Sequence, residues 1–273
     1  MICPNPPPKI PDMPREQTYQ GRPFGPGEIA KYELRYGIVK ALVGYGYLEV
    51  LPPIRHEIYL PDKNGNKTIE KRYHMRFQAE AFTGEWYKLI FIGHDKLQAI
   101  SRPWDFGISK FYINQNEEKP FVKRYRKEKW LDFDHLHCKV HEREKDYTKP
   151  EDQMEKLADL DLEYGAVDAL GAIYKLRTYQ YDIGKVVRFM VYTSEKNWWL
   201  EAHPVAIEDV TLKVGTFKSV KIKLKTFIGK ELQTRGDVSL WIAKDHPNHP
   251  MVKVEGEVTF GSVYLYLEEF KAG

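Results

Sequence analysis

The chain has 273 residues, long enough to bury a large core within one β-rich domain. Lys and Arg number 42 against 39 Asp and Glu, too even a balance for a protein whose main partner is nucleic acid. No apolar run approaches the roughly 20 residues of a membrane-spanning helix, and Cys3 and Cys138 alone make no disulfide framework. One bridge or two free thiols are equally compatible with that pair.

The opening, MICPNPPPKIPDMPREQ, reads as the start of a processed or shortened chain, and no signal peptide is visible. Its prolines disfavour helix and central strand, so residues 1–22 are expected to form an extended tether ahead of one domain over 23–270. Cys3 reads either as a lipid-attachment cysteine or, more simply, as an incidental thiol.

From residue 31, Tyr32, Leu34, Tyr36 and Ile38 alternate with Lys31, Glu33 and Arg35, the period of a half-buried strand. Gly44 and Gly46 then share a face. Paired glycines weaken a strand unless something approaches closely. Leu51-Pro52-Pro53 is expected to break the strand, and Asp62–Lys67, with its Asn-Gly pair, to turn a hairpin. Tyr73, Met75, Phe77 and Ala79 mark the return strand, and WYKLIFIG at 86–93 suggests one covered on both faces. Further strands are expected through 106–115 and 120–133. The alternating lysines suggest a solvated face.

Residues 150–178 change period. Met154, Leu157 and Leu160, then Val167, Leu170, Ile173 and Tyr174, recur at helical spacing. Pro150 suits one helix start, and Asp168 suits the N-cap of a second, short helix. Strands resume with Val187, Phe189 and Val191, and Val220, Ile222 and Leu224 oppose Lys221, Lys223 and Lys225. The apolar parity flips between Val258 and Val263, so a bulge or bend is expected at Gly261. About twelve or more strands result. The expected fold is mainly β: a curved antiparallel sheet, open barrel or β-roll with one helical segment.

Three stretches resemble a bacterial envelope family, domain of unknown function 3108: FGPGEIAKYELRYGIVKALVGYGYLEV, VDALGAIYKLR and LWIAKDHPNHPMVKVEGEVTFG. The second is similar to the family's Asp-x-x-Ser-x-x-Tyr-x-x-Arg helix, with Gly171 where the serine is expected. The third is similar to its Trp-x-x-x-Asp strand and closing strand, here Trp241, Asp245 and Gly261. The resemblance spans about 23–268. It implies an exported antiparallel β protein of the periplasm or outer membrane and no established activity.

His135, His137, Cys138 and His141 are residue types that bind zinc or copper. A regular strand cannot converge all four, and a turn near Asp134–His135 is expected. Asp245, His246 and His249 form a second cluster in a Pro-rich turn. A polar strand face and a hairpin turn explain both clusters, so no metal or other cofactor is expected, His137, His141, His246 and His249 being the weak candidates. Arg177 reads as an anion anchor or as a pin holding the helix. Tyr174, Trp198 and Trp199 read as cleft-lining aromatics for glycan or acyl chains, or as core. No hydrolase elbow, zincin, phosphate-loop or dinucleotide motif is present. The expectation is a non-catalytic exported protein binding a hydrophobic or amphiphilic ligand, such as a lipid or glycan, or an envelope protein, in a concave sheet. The alternatives are a metal-dependent hydrolase and a structural or adhesive surface module.

Overall fold

The computed structural model describes residues 13–61, 67–84, 92–118, 125–229, 231–258 and 261–273. Eight strands come first: β1 (Ile29–Tyr36), β2 (Ala41–Pro61), β3 (Lys67–Thr83), β4 (Ile92–Ser101), β5 (Ile108–Glu118), β6 (Tyr125–Asp134), β7 (Lys139–Asp146) and β8 (Glu155–Asp161). The helix α1 (Ala169–Leu176) follows. Six more strands return: β9 (Val187–Thr193), β10 (Lys196–Leu212), β11 (Gly215–Ile228), β12 (Glu231–Ala243), β13 (Met251–Val258) and β14 (Gly261–Lys271). All belong to one sheet, ordered β8-β7-β6-β5-β4-β3-β2-β1-β14-β13-β12-β11-β10-β9. Two meanders of antiparallel hairpins are therefore joined where the first strand pairs with the last, Leu34 opposite Leu265.

The sheet curls without closing into a barrel, since β8 and β9 are its two ends. Residues 162–167 stitch the gap. Leu162 N donates to Cys138 O, and Val167 N donates to Met190 O while Tyr192 N donates to Val167 O. The side chain of Asn197 adds bonds to Glu163 N and Asp161 O. Helix α1 then packs on the inner face, burying Leu170, Ala172, Tyr174 and Leu176. The Tyr174 ring stacks on Phe77 with centroids 4.1 Å apart. Sheet residues of both meanders share this core, among them Met75, Val191, Ile222 and Leu267.

Several local expectations change. Only 169–176 of the proposed helical stretch is α-helix. Residues 155–161 form the edge strand β8, leaving Leu157 75% exposed, because pairing with β7 supplies the backbone bonds that a short helix would have to make alone. Pro52 and Pro53 do not end β2. Its pairing with β3 shifts register between Leu51 and Ile54, and such an irregularity absorbs residues lacking a donor N–H. Of the expected tether, residues 1–12 lie outside the described residues, and Arg15–Gln17 forms a 3-10 turn. The Tyr19 hydroxyl beyond it donates to Leu51 O at 2.9 Å and accepts from Arg76 N at 2.8 Å. The parity change near Gly261 is a chain reversal: Val258 pairs with Gly261, whose φ is +102°. The Asn-Gly turn and most of WYKLIFIG lie outside the described residues.

Candidate functional site

Strand register lines up residues on the inner face. One row of directly opposed positions runs Leu48, Ala79, Leu97, Ile113, Lys129, Glu144 across β2 to β7. Polarity changes along that row, and two chambers follow from it. The apolar chamber, about 420 Å³, is lined by Leu34, Gly46, Leu48, Ala81, Leu97 and Leu265, with Ile173 of α1 reaching in. Gly46 has no positive φ, and a Cβ there would meet nothing nearer than Glu80 O at 3.7 Å. Its backbone does not require glycine, so the small side is what keeps the chamber open. Gly44 differs, because a Cβ there would collide with Phe82 O.

The second chamber, about 340 Å³, lies under β5–β7 beside the β9–β10 turn and is more polar than the first, although Phe111, Ile113, Leu131 and Phe133 also line it. Lys127, Lys129, Glu142, Glu144, Tyr192 and Glu195 line it, and Gln115 lines both chambers. These lysines share parity with Leu131 and Phe133, so they face inward and not the solvated side. Lys129 Nζ lies 2.8 Å from Glu195 Oε1, 3.1 Å from Glu142 Oε1 and 3.2 Å from Glu144 Oε2. Burial would lower the Lys129 pKa, but its bonds to Glu195 and Glu142 raise it above the ordinary lysine value. The three carboxylates could hold a metal ion by spacing, yet the ammonium already stands among them. Tyr192 is 4% exposed. Its hydroxyl has no hydrogen-bond partner among the described residues.

The sequence-derived candidates sit elsewhere. Arg177, 3% exposed, bonds both Glu28 oxygens at 2.6 and 2.9 Å, His249 O at 3.1 Å and Asn248 O at 2.7 Å. Its guanidinium thus pins the end of α1 to the chain before β1 and to the β12–β13 turn. Tyr174 packs beside it in the core. Trp198 donates to Thr193 O, while Trp199 carries the Arg188 guanidinium 4.4 Å above its ring. Successive strand positions face opposite ways, so the four do not converge. Among the histidines, His137 Nδ1 lies 2.7 Å from Asp134 Oδ2 and His141 Nδ1 2.7 Å from Asp159 Oδ1. His137 lies within the expected turn and His141 on β7, and Cys138 is disulfide-bonded. His246 Nδ1 accepts from Asn248 N, and His249 Nδ1 lies 3.1 Å from Arg177 O. Both serve the turn. Parity could have revealed the polar chamber, because Lys127 and Lys129 fall in phase with Leu131, and Glu142 and Glu144 with Val140.

Residues 66–268 match the family model described as Protein of unknown function (DUF3108). The chain belongs to the DUF3108 family. The stretch at 24–50 that resembles the family's first strands precedes the matched residues. No curated protein matches this chain. Among solved structures, a β-barrel-like protein of domain of unknown function DUF1849 from Brucella abortus aligns with a TM-score of 0.52 and 10% identity, covering 90% of this chain and 97% of its own. That likeness is one of fold. A Bacteroides fragilis protein with a YmcC-like fold, provisionally described as exported, aligns at 0.37 and 11% identity over 92% of this chain and 98% of its own. A Parabacteroides distasonis protein provisionally described as a lipoprotein aligns at 0.34 and 14% identity over 92% and 97%.

The helix that resembles the DUF3108 motif has a clear role in this chain. Asp168 Oδ1 accepts from Leu170 N at 2.8 Å and Gly171 N at 2.9 Å, capping α1. Burial raises its pKa to about 6. A Cβ at Gly171 would lie 2.9 Å from Asp168 Oδ2, so a serine there must shift the cap. The neighbouring hydroxyl comes from Ser101, 3.5 Å from Asp168 Oδ2. Trp241 is buried, with Lys221 and Lys253 over its ring. Asp245 is exposed in the turn that Arg177 grips.

Proposed function

We propose that this DUF3108 member is a non-catalytic exported protein that holds a single-chain amphiphile inside its curved sheet. The tail would occupy the apolar chamber and the polar end would lie towards Lys127, Glu142 and Tyr192. The observation that carries this reading is the pair of chambers sharing Gln115 on one inner face. Each lies within the volume range of ordinary ligand sites, and each methylene buried would contribute about 0.8 kcal/mol. The chambers favour a carrier over a purely structural or adhesive module with a filled interior. The dispersed histidines give a metal-dependent hydrolase no comparable support.

A disulfide at Cys138 supports a periplasmic or outer-membrane-side location, since such bonds persist in oxidising compartments. Cys3 is the one other cysteine in the sequence and lies outside the described residues. Binding is tested with cis-parinaric acid, whose fluorescence rises in an apolar site. Wild-type protein should bind it saturably, and Ala81→Trp, which fills the chamber mouth, should weaken binding about tenfold or more. Equal binding by the folded variant, or no saturable binding by wild type, would overturn the reading.

A further inference from the structure

The β1–β2 hairpin ends in Gly37-Ile38-Val39-Lys40, closed by Lys40 N donating to Gly37 O at 3.0 Å and tied to β14 by Gly37 N donating to Ser262 O at 2.9 Å. Ile38 is 98% exposed and Val39 86%. Turns favour Gly, Asn, Asp, Pro and Ser, whereas β-branched residues fit the pleated surface of strands. Nothing local therefore explains two aliphatics on the tip. Just below them lie Tyr36, Tyr264 and Tyr266, the last two stacked with planes 3° apart. Lys40 Nζ sits 4.5 Å from the Tyr264 ring centroid. Aliphatic tip, tyrosine belt and lysine, in that order, are the succession found where a protein meets a bilayer interface.

The topology adds a second observation. The β11–β12 hairpin emerges from the same end of the sheet, with Ile228 36% and Leu232 48% exposed. The apolar chamber also lies towards that end. Leu34, Gly46, Ala81, Asp95 and Leu265 come from the strand halves nearest it, and Ile173 stands deeper.

We infer that this rim docks on a phospholipid bilayer, with Ile38 and Val39 inserted among the headgroups. This rests on the amphiphile reading for its purpose, because docking there brings the chamber to the source of its ligand. The docking itself can be measured separately.

Co-sedimentation with vesicles of phosphatidylethanolamine and phosphatidylglycerol is the test. Wild type should pellet with vesicles, and the double variant Ile38→Ser/Val39→Ser should do so about tenfold less well. Both substitutions are at solvent-exposed positions, so thermal unfolding should be unchanged. In Val39→Trp, the added indole emission should shift to the blue with vesicles. Ala81→Trp should still pellet while losing cis-parinaric acid. If wild type pellets but takes up no cis-parinaric acid, the carrier reading fails and the docking stands. Equal pelleting of wild type and double variant, no shift in Val39→Trp, or a wild-type dimer that the double variant abolishes without any vesicle binding would overturn the docking.

Discussion

Asp168 shows how much one buried side chain can couple folding to pH. The carboxyl caps α1 yet is 1% exposed, and burial moves its pKa from 3.8 to about 6. Folding therefore takes up a proton between those values. The stability this group contributes is fully present at low pH and is lost as pH rises through about 6, a difference of about 3 kcal/mol. His74 works the other way, because burial lowers its pKa from 6.5 to about 3. Its contribution is present near neutrality and lost on acidification. Asp168→Asn keeps a side chain able to cap the helix and removes only the first effect. Urea unfolding between pH 6.5 and 4 should show stability falling more steeply in the variant than in wild type. Parallel curves would mean that the carboxyl stays ionised throughout. The cap was legible in the sequence, since an Asp before a short apolar helix has an obvious use. The Glu28 partner of Arg177 was not, because 149 residues separate them and no spacing rule reaches that far.

Among the elements, strands with clean alternation were readable, and those altered by neighbours were not. Lys221, Lys223 and Lys225 alternate with an apolar set that is visible in any window of β11. Residues 155–161 looked helical because Leu157 and Leu160 fit a helical period, but β7 offered a complete ladder and a short exposed helix had nothing comparable. Pro52-Pro53 looked like a stop and became an irregularity for the same reason, with pairing resuming on both sides. Gly46 is the instructive case. The Gly44/Gly46 pair suggested a close approach, which the structure shows at Gly44, whereas a Cβ at Gly46 would meet Glu80 O only at an ordinary contact distance of 3.7 Å. Gly46→Val should therefore raise stability by about 0.5–1 kcal/mol through lower unfolded-chain entropy and better strand propensity, while narrowing the apolar chamber and weakening cis-parinaric acid binding. Guanidinium unfolding and ligand titration on the same sample check both halves. A destabilised variant would place a steric demand on Gly46 that the 3.7 Å clearance does not suggest.

For the molecule as a whole, the weak place is where the sheet fails to close. Among the described residues, thirteen antiparallel pairings join the fourteen strands, but β8 and β9 are linked through residues 162–167 and side chains. Local opening starts where backbone bonds are fewest, which places the least protected part of the sheet at this seam. Cys138 ends the β6–β7 turn there, and its carbonyl receives the bond from Leu162 that leads the chain across. A disulfide anchored at this point restrains the unfolded chain. Reduction with a phosphine should lower stability by about 2–4 kcal/mol, and Cys138→Ser should reproduce the loss and be indifferent to reductant. Hydrogen exchange should rise first in β7, β8 and 162–167, with the β1–β14 junction, flanked by strands on both sides, protected until global unfolding. Uniform acceleration across all strands would show instead that the curled sheet opens as one cooperative unit and that the seam is not its weak point.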